Sequence, residues 1–123
     1  MSENEITEQI LKAAFKVHTE LGPGLLESSY KECLYYELAQ NGFFVEKEKP
    51  MPLIYHEVKL DIGYRIDLLV GGKVVVEIKV AEAFTDVHIA QVLTYLKLSD
   101  CKVGLLLNFK VASMKNGIKR LML

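Results

Sequence analysis

The chain has 123 residues, half of them hydrophobic and a quarter charged, and this composition is typical of one compact soluble domain. No apolar run approaches the roughly 18–20 residues that a membrane-spanning helix needs, and the acidic, polar start of the sequence differs from a signal peptide. Cys33 and Cys101 lie far apart, so we expect free thiols in a cytoplasmic protein and neither a disulfide framework nor a zinc site. We therefore predict a single domain over residues 1–123.

The net charge of −1 is not that of a typical nucleic-acid-binding protein. The charges are unevenly distributed, however. Residues 1–49 carry nine acidic and five basic side chains, a net charge of −4, whereas residues 50–123 carry seven acidic and ten basic side chains, a net charge of +3. If this asymmetry is more than chance, a surface that faces phosphates should come from the second half.

The first half of the sequence predicts two helices. Apolar residues recur at intervals of three and four over residues 5–20, which indicates an amphipathic helix, and the sequence "LGPG" ends it. A second helix is expected over residues 25–41, and Asn41–Gly42 closes it.

The apolar period then changes to two, which predicts strands over residues 43–49, 53–60, 63–70 and 73–80. "TDVHIAQVLTYLKLSD" returns to helical spacing. "KVGLLLNF" is a continuous apolar run, as expected for a strand buried on both faces, and a closing strand is predicted near residues 117–122. This order predicts an α/β fold with a mixed central sheet flanked by helices.

Charged residues interrupt the predicted strand pair "YRIDLLVGGKVVVEIKV". Glu77 and Lys79 share one face of their strand, and a hairpin at Gly71–Gly72 joins that strand to the one that carries Asp67. A strict two-residue turn would pair Asp67 with Val76 and point it away from Glu77. A three-residue loop or a bulge would place Asp67 opposite Glu77 on the same face.

In the second register, two carboxylates face each other and a divalent cation would relieve their repulsion. Oxygen ligands of this kind suit Mg²⁺ or Mn²⁺, and Lys79 could position a metal-bound water or stabilise charge on a phosphate. The alternative is a solvent-facing hairpin on which Asp67, Glu77 and Lys79 form ordinary surface ion pairs.

Here the sequence resembles known proteins. Asp67 followed by Glu77-Ile78-Lys79 resembles the D…ExK core of the PD-(D/E)xK nuclease superfamily. "GPGLLESSY", with Gly24, Glu27 and Tyr30, resembles the signature of the GxxExxY protein family, and "HIAQVLTYLKL", "GLLLNF" and "GIKRLML" resemble its later segments. The resemblance extends from about residue 5 to residue 123.

The resemblance implies a restriction-endonuclease-like core in which Glu27, Asp67, Glu77, Lys79 and Gln91 form the site. Within this set, Asp67, Glu77 and the Ile78 carbonyl would be the metal ligands.

Three further residues are candidate accessory members of the site. Tyr30 lies one turn after Glu27, although core packing is the favoured explanation for a helical tyrosine. Tyr95 shares a helix face with Gln91 and could pack beneath it. His88 precedes Gln91 by three residues, but a lone histidine is more often structural than catalytic.

The leading hypothesis is a metal-dependent nuclease that hydrolyses phosphodiester bonds of DNA or RNA. A second is a catalytically silent nuclease-like module for binding or assembly, which the nearly balanced charge favours. A third is a hydrolase of smaller phosphate esters. A chain of this size that cuts nucleic acid is expected to form a homodimer, to recruit a protein partner or to act on short or structured substrates. No membrane association is expected.

Overall fold

The computed structural model describes residues 1–123. It contains three α-helices, seven β-strands and one 3₁₀ helix. The helices are α1 (Glu3–Leu21), α2 (Glu27–Gln40) and α3 (Asp86–Ser99), and the 3₁₀ helix is Met114–Gly117. The strands are β1 (Val45–Pro50), β2 (Leu53–Tyr55), β3 (Val58–Leu60), β4 (Arg65–Val70), β5 (Val74–Lys79), β6 (Val103–Asn108) and β7 (Ile118–Met122).

Five strands form one mixed sheet in the order β1-β4-β5-β6-β7, and β2 and β3 form a separate two-stranded sheet. Strands β5 and β6 are parallel, whereas the other neighbours in the large sheet are antiparallel. The parallel pair requires a crossover, which α3 supplies. The predicted α/β architecture with a mixed, helix-flanked sheet is therefore confirmed, and it is consistent with a restriction-endonuclease-like fold.

The sheet buries both of its faces. On one face, α1 and α2 cover the larger hydrophobic cluster, to which β4 contributes Leu68 and Val70 and β5 contributes alternate residues up to Ile78. On the other face, α3 covers a smaller cluster that includes Leu69 and Val75. Because side chains alternate along a strand, the residues between the members of the larger cluster point toward α3.

Local sequence defines the helix ends. Ser2 accepts a hydrogen bond from the Glu5 backbone N–H, and the Glu5 side chain accepts one from the Ser2 N–H, so α1 begins with a capping box. It ends at Gly22, whose φ of 72° lies in a region that favours glycine. None of the three helices combines the length and the apolar character that crossing a bilayer requires.

The structure differs from the predicted elements in the region of residues 50–64. Strand β1 begins at Val45 and ends at Pro50, one residue beyond the predicted end, and the proline is tolerated in the strand because β1 pairs only with β4 and is an edge strand. The single strand predicted over residues 53–60 was wrong. It is a hairpin that turns at His56, whose φ is 56°, and Glu57.

Candidate active site

The loop between β4 and β5 places Asp67 and Glu77 together. The two strands pair Leu68 with Val76 and Val70 with Val74, so partner numbers sum to 144. This is the register of the three-residue loop Gly71–Lys73, in which Gly71 and Gly72 have φ values of 61° and 67°. The register that a metal site requires is thus the one observed, and both carboxylates lie on the α3 side of the sheet.

The ladder opens at the carboxylates, where side-chain contacts replace backbone pairing. Asp67 Oδ2 accepts a hydrogen bond from the Ile78 backbone N–H at 2.9 Å. On the other side of β4, the pairing with β1 skips Asp67 and its counterpart Glu48, whose φ of 52° is unusual for a residue with a side chain. The irregular pairing coincides with the residue that the sequence singles out, as is common near functional sites.

Glu77 is a buried carboxyl group. Only 2% of the residue is exposed, and its Oε1 has no hydrogen-bond partner. Burial, followed by the interaction with Asp67, raises the pKa of Glu77 to about 10, and Lys79 opposes this shift only in part. Without a cation, the pair therefore holds a proton at neutral pH.

Lys79 extends from the end of β5 toward α3. Its Nζ donates a hydrogen bond to Gln91 Oε1 at 3.0 Å. The half-buried ammonium is therefore held on the same side of the sheet as Glu77 by a neutral partner. A neutral acceptor leaves the positive charge available to an anion or to a carboxylate.

Tyr95 lies one helical turn beyond Gln91 and is buried. Burial and the neighbouring carboxylates of Glu77 and Asp67 raise the pKa of the phenol, while hydrogen bonding to the Arg65 backbone and to Gln91 acts in the opposite direction. The structure thus places Tyr95 beside the same group of residues, as its helical spacing from Gln91 predicts.

The remaining candidates lie in other environments. Glu27 is the exposed first residue of α2 and makes no hydrogen bond or ion pair with Asp67, Glu77 or Lys79. Tyr30 is buried in the core: its ring stacks on Phe109 at 4.4 Å.

The polar groups of Tyr30 and His88 have local structural roles. The hydroxyl group of Tyr30 donates to the Gly22 carbonyl and accepts from the Leu25 N–H. His88 forms the capping box of α3, in which its Nδ1 accepts from the Thr85 N–H. Core packing therefore accounts for Tyr30, and helix capping accounts for His88.

The sequence reasoning missed Asn108. This buried residue pairs with Lys79 in the β5–β6 ladder. Its Oδ1 accepts from the backbone N–H groups of Ala81 and Lys110, and its Nδ2 donates to the Ala81 carbonyl at 2.8 Å. Asn108 therefore fastens the chain immediately after Lys79. The available signal was a single amide at the end of the apolar run "GLLLN".

The donor set suits a hard divalent cation. The structure contains no cluster of three or more histidine, cysteine, aspartate or glutamate side chains suited to a metal, so a metal here would rest on the carboxylate pair, backbone carbonyls, water and substrate. Asp67 and Glu77 share a proton when no cation is bound, and one buried oxygen of Glu77 has no hydrogen-bond partner. A divalent cation prefers oxygen ligands of this kind and would replace the shared proton. These residues therefore fit a hard divalent cation.

Comparison with known proteins gives one match. A family model described as PD-(D/E)XK nuclease superfamily matches residues 4–121, which is nearly the whole chain. No curated protein and no solved structure matches the chain significantly.

Proposed function

Because the chain belongs to the PD-(D/E)XK nuclease superfamily, we propose that it is a metal-dependent nuclease that hydrolyses phosphodiester bonds in DNA or RNA. The observation that carries this proposal is the convergence of Asp67 and the buried, partly unpartnered Glu77 beside the ammonium group of Lys79. Nucleases of this superfamily generally use divalent metals.

In this proposal, each residue has a distinct role. Asp67 and Glu77 would hold Mg²⁺ or Mn²⁺, with the Ile78 carbonyl as a third protein ligand. When bound, such an ion would supply a lowered pKa for water and positive charge to offset that of the phosphate. Lys79, which Gln91 holds in place, orients the attacking water or stabilises the charge that develops on the phosphate oxygens.

The position of the site favours a polymer over a small phosphate ester. Small-molecule ligands usually occupy concave cavities. The larger surface cavities lie elsewhere, and one of about 400 Å³ is lined by Phe15, His18, Gly22 and neighbouring residues. The site residues lie instead where the β4–β5 ladder opens, at the end of the sheet nearest the β2–β3 hairpin. A chain that passes across the surface would reach the half-buried side chains of Asp67 and Lys79, whereas Glu77 is buried beside them.

Two finer assignments belong to the same proposal. The motif Gly24-x-x-Glu27-x-x-Tyr30 supports membership of the GxxExxY family within the superfamily, and residues 1–123 would form one domain. Glu27 is included in the site on this motif alone. The proposal expects Glu27→Gln to lower cleavage and to change the free energy of unfolding by no more than about 1 kcal/mol, the usual dipole effect of an exposed carboxylate in the first turn of a helix.

Calorimetric titration with Mn²⁺ and Mg²⁺ tests the metal site. Wild-type protein should bind, and Glu77→Gln and Asp67→Asn should not. Glu8→Gln is the matched control, because it removes an exposed glutamate of α1 and should bind as wild type does. Absence of heat from the wild type at millimolar metal would contradict the proposal.

Cleavage of labelled single- and double-stranded DNA and RNA then tests the chemistry. Lys79→Ala should reduce the rate by roughly 10²–10³-fold, the usual effect of removing one electrostatic stabiliser. Lys97→Ala, which removes an exposed lysine of α3, is the control. Equal rates for wild type and Lys79→Ala would assign the cleavage to another site or to a contaminant.

A second candidate function is a binding or assembly module with an inactive nuclease fold. The observation that favours it is the balance of 15 basic and 16 acidic residues, which leaves little positive charge for a long nucleic acid. Metal binding without cleavage of any of the four substrates would support this candidate.

A further inference from the structure

The two-stranded sheet β2–β3 is an unusual feature of this structure. Residues 51–64, which we call the arm, leave the main sheet beyond the β1–β4 pair, where the Met51 N–H still donates to the Tyr64 carbonyl. Further out, β2 and β3 pair only with each other. An isolated two-stranded hairpin is marginally stable in water, so an additional partner would stabilise it.

The arm exposes apolar side chains. Within eleven residues it carries five large hydrophobic residues that are 43–63% exposed: Ile54, Tyr55, Val58, Ile62 and Tyr64. Because β2 and β3 pair Tyr55 with Val58 and Leu53 with Leu60, these four residues share one face of the hairpin. The arm is therefore apolar on one face and has free backbone groups along the outer edge of β3.

The edges of the main sheet differ from the edge of the arm. Strand β1 carries four consecutive charged residues over 46–49 and then Pro50, and β7 carries Lys119 and Arg120. Charges and proline on an edge strand prevent pairing with another chain. Both strands of the arm have a free edge, but Pro52 directly precedes β2, whereas β3 has Val58 and Leu60 on either side of Lys59 and contains no proline.

The charges of the arm point to the kind of partner. Glu57, Lys59 and Asp61 alternate in sign, and the arm has one net negative charge with His56 neutral. A nucleic acid would require a surplus of positive charge. A second, antiparallel copy of the same strand instead finds opposite charges in a suitable register.

We propose that the arm is a dimerisation element, in which β3 pairs with β3 of a second copy about a two-fold axis at Leu60. This register places Val58 opposite Ile62 of the partner copy and Lys59 opposite Asp61 of the partner copy, each pair occurring twice. Residues 61–64, which have no regular structure in the single chain, extend the strand when the copies pair. A register about Lys59 would place like charges opposite each other and is disfavoured.

Swapping the charges of Lys59 and Asp61 tests this proposal, with analytical ultracentrifugation at protein concentrations between about 5 and 500 μM as the measurement. Wild type should be dimeric, and Lys59→Glu and Asp61→Lys should each be monomeric. The double variant K59E/D61K should restore the dimer, since the opposite charges face each other again. Glu57→Lys is the control: it changes a charge on the same arm outside the paired set and should remain dimeric.

Cross-linking tests the axis directly. In Leu60→Cys, the two introduced thiols would lie across the axis at a separation that suits a disulfide, so mild oxidation should produce a covalent dimer. Wild type, which retains half-buried Cys33 and buried Cys101, reports the background.

A wild type that is monomeric throughout, or a failure of K59E/D61K to re-form the dimer, would overturn the proposal. Dissociation by Glu57→Lys would do so as well, since it indicates another register. A monomer that binds an oligonucleotide through Lys59 would assign the arm to nucleic acid. None of these outcomes depends on the metal site, so the proposed nuclease function is tested separately.

Discussion

Burial of Glu77 beside Asp67 makes stability depend on pH. The pKa of Glu77 is about 10 in the folded chain, well above its ordinary value of 4.5. Between pH 4.5 and pH 10, the Glu77 carboxyl group is ionised in the unfolded chain but protonated in the folded chain. The contribution of Glu77 to the free energy of unfolding is therefore fully present below pH 4.5 and declines as the pH rises toward 10. The slope is about 1.4 kcal/mol per pH unit while only the unfolded state is ionised.

We therefore expect Glu77→Gln to be more stable than wild type in the absence of metal, by an amount that increases from pH 5 to pH 9. The amide carries no charge, so its burial does not couple folding to a proton. Urea unfolding in a chelator at several pH values measures the difference, with Glu8→Gln as the exposed control. Identical pH slopes for wild type and Glu77→Gln would contradict the burial argument.

Gln91 offers a second prediction, because it contacts Lys79 and not the carboxylates. Gln91→Ala frees the ammonium group to move, so cleavage should fall about tenfold, as is typical when the residue that orients a functional group is removed. Affinity for Mn²⁺ should stay the same. Single-turnover rates and calorimetry measure the two quantities, and Thr94→Ala, which alters an exposed position on α3, is the control.

The sequence predicted that Asp67 and Glu77 could face each other, but only in one of the two possible registers of the hairpin. Counting residues around Gly71–Gly72 leaves the loop length open, because both two- and three-residue hairpins accept glycine. The structure resolves this through the positive φ values of both glycines, with Lys73 as the third loop residue. The unpartnered Glu77 oxygen depends on tertiary packing and could not be read from the strand pattern.

At the scale of elements, the end of β5 is secured by a single side chain. Asn108→Leu keeps a similar volume but leaves the N–H and carbonyl of Ala81 and the N–H of Lys110 without their partner. These hydrogen bonds are only partly buried, so each lost partner costs about 1 kcal/mol, the lower end of the range for a buried group. We expect a loss of about 3 kcal/mol in the free energy of unfolding, measured with urea at pH 7.

Asn108→Asp is the informative companion variant. It keeps the acceptor for both N–H groups, but its second oxygen faces the Ala81 carbonyl and its charge is buried, so its loss of stability should be larger at pH 7 than at acid pH, where the protonated carboxyl group can donate that bond. A leucine variant as stable as wild type would show that the amide is dispensable. Sequence alone gave little indication of this role, because an asparagine at the end of an apolar run also marks an ordinary strand end.

The prediction of one strand over residues 53–60 failed because the turn within this segment has no clear sequence signal. "LIYHEVKL" is rich in β-branched and aromatic residues and contains no glycine or proline, so it lacks the Asn-Gly or Asp-Gly pair that marks a tight hairpin. The turn instead uses His56 in the left-handed region. Histidine is among the side chains that occur there more often than most, but this preference is too weak to predict a turn.

At the scale of the whole molecule, the order of elements was predictable because the apolar period changes with each element. Helices of period near 3.6 alternate with strands of period two, and the unbroken run of β6 indicates a strand covered on both faces. Which helices cover which face was not predictable. That assignment follows from the right-handed crossover between parallel strands and from packing, and neither leaves a local pattern.

Net charge, finally, predicts how a nucleic acid would bind. The surplus of +3 in residues 50–123 allows few phosphate contacts, and each contact to duplex DNA contributes about 0.9 to the slope of log K against log salt. We expect weak binding with a slope no steeper than about −3. Fluorescence anisotropy of a labelled duplex between 50 and 300 mM salt, with Ca²⁺ in place of Mg²⁺, measures it.

The value of about −3 applies to one protomer, and two copies that bind as one unit would give a slope of about −6. A clearly steeper slope would contradict the expected charge surplus and would require positive charge from a partner protein. Repeating the titration with Lys59→Glu, which dissociates the proposed dimer, separates the contribution of the second copy from that of Lys59 itself. If the arm only joins two copies, this variant should bind the duplex more weakly because avidity is lost, and the slope per protomer should be unchanged. A slope that becomes shallower by about one would instead mean that Lys59 itself contacts a phosphate.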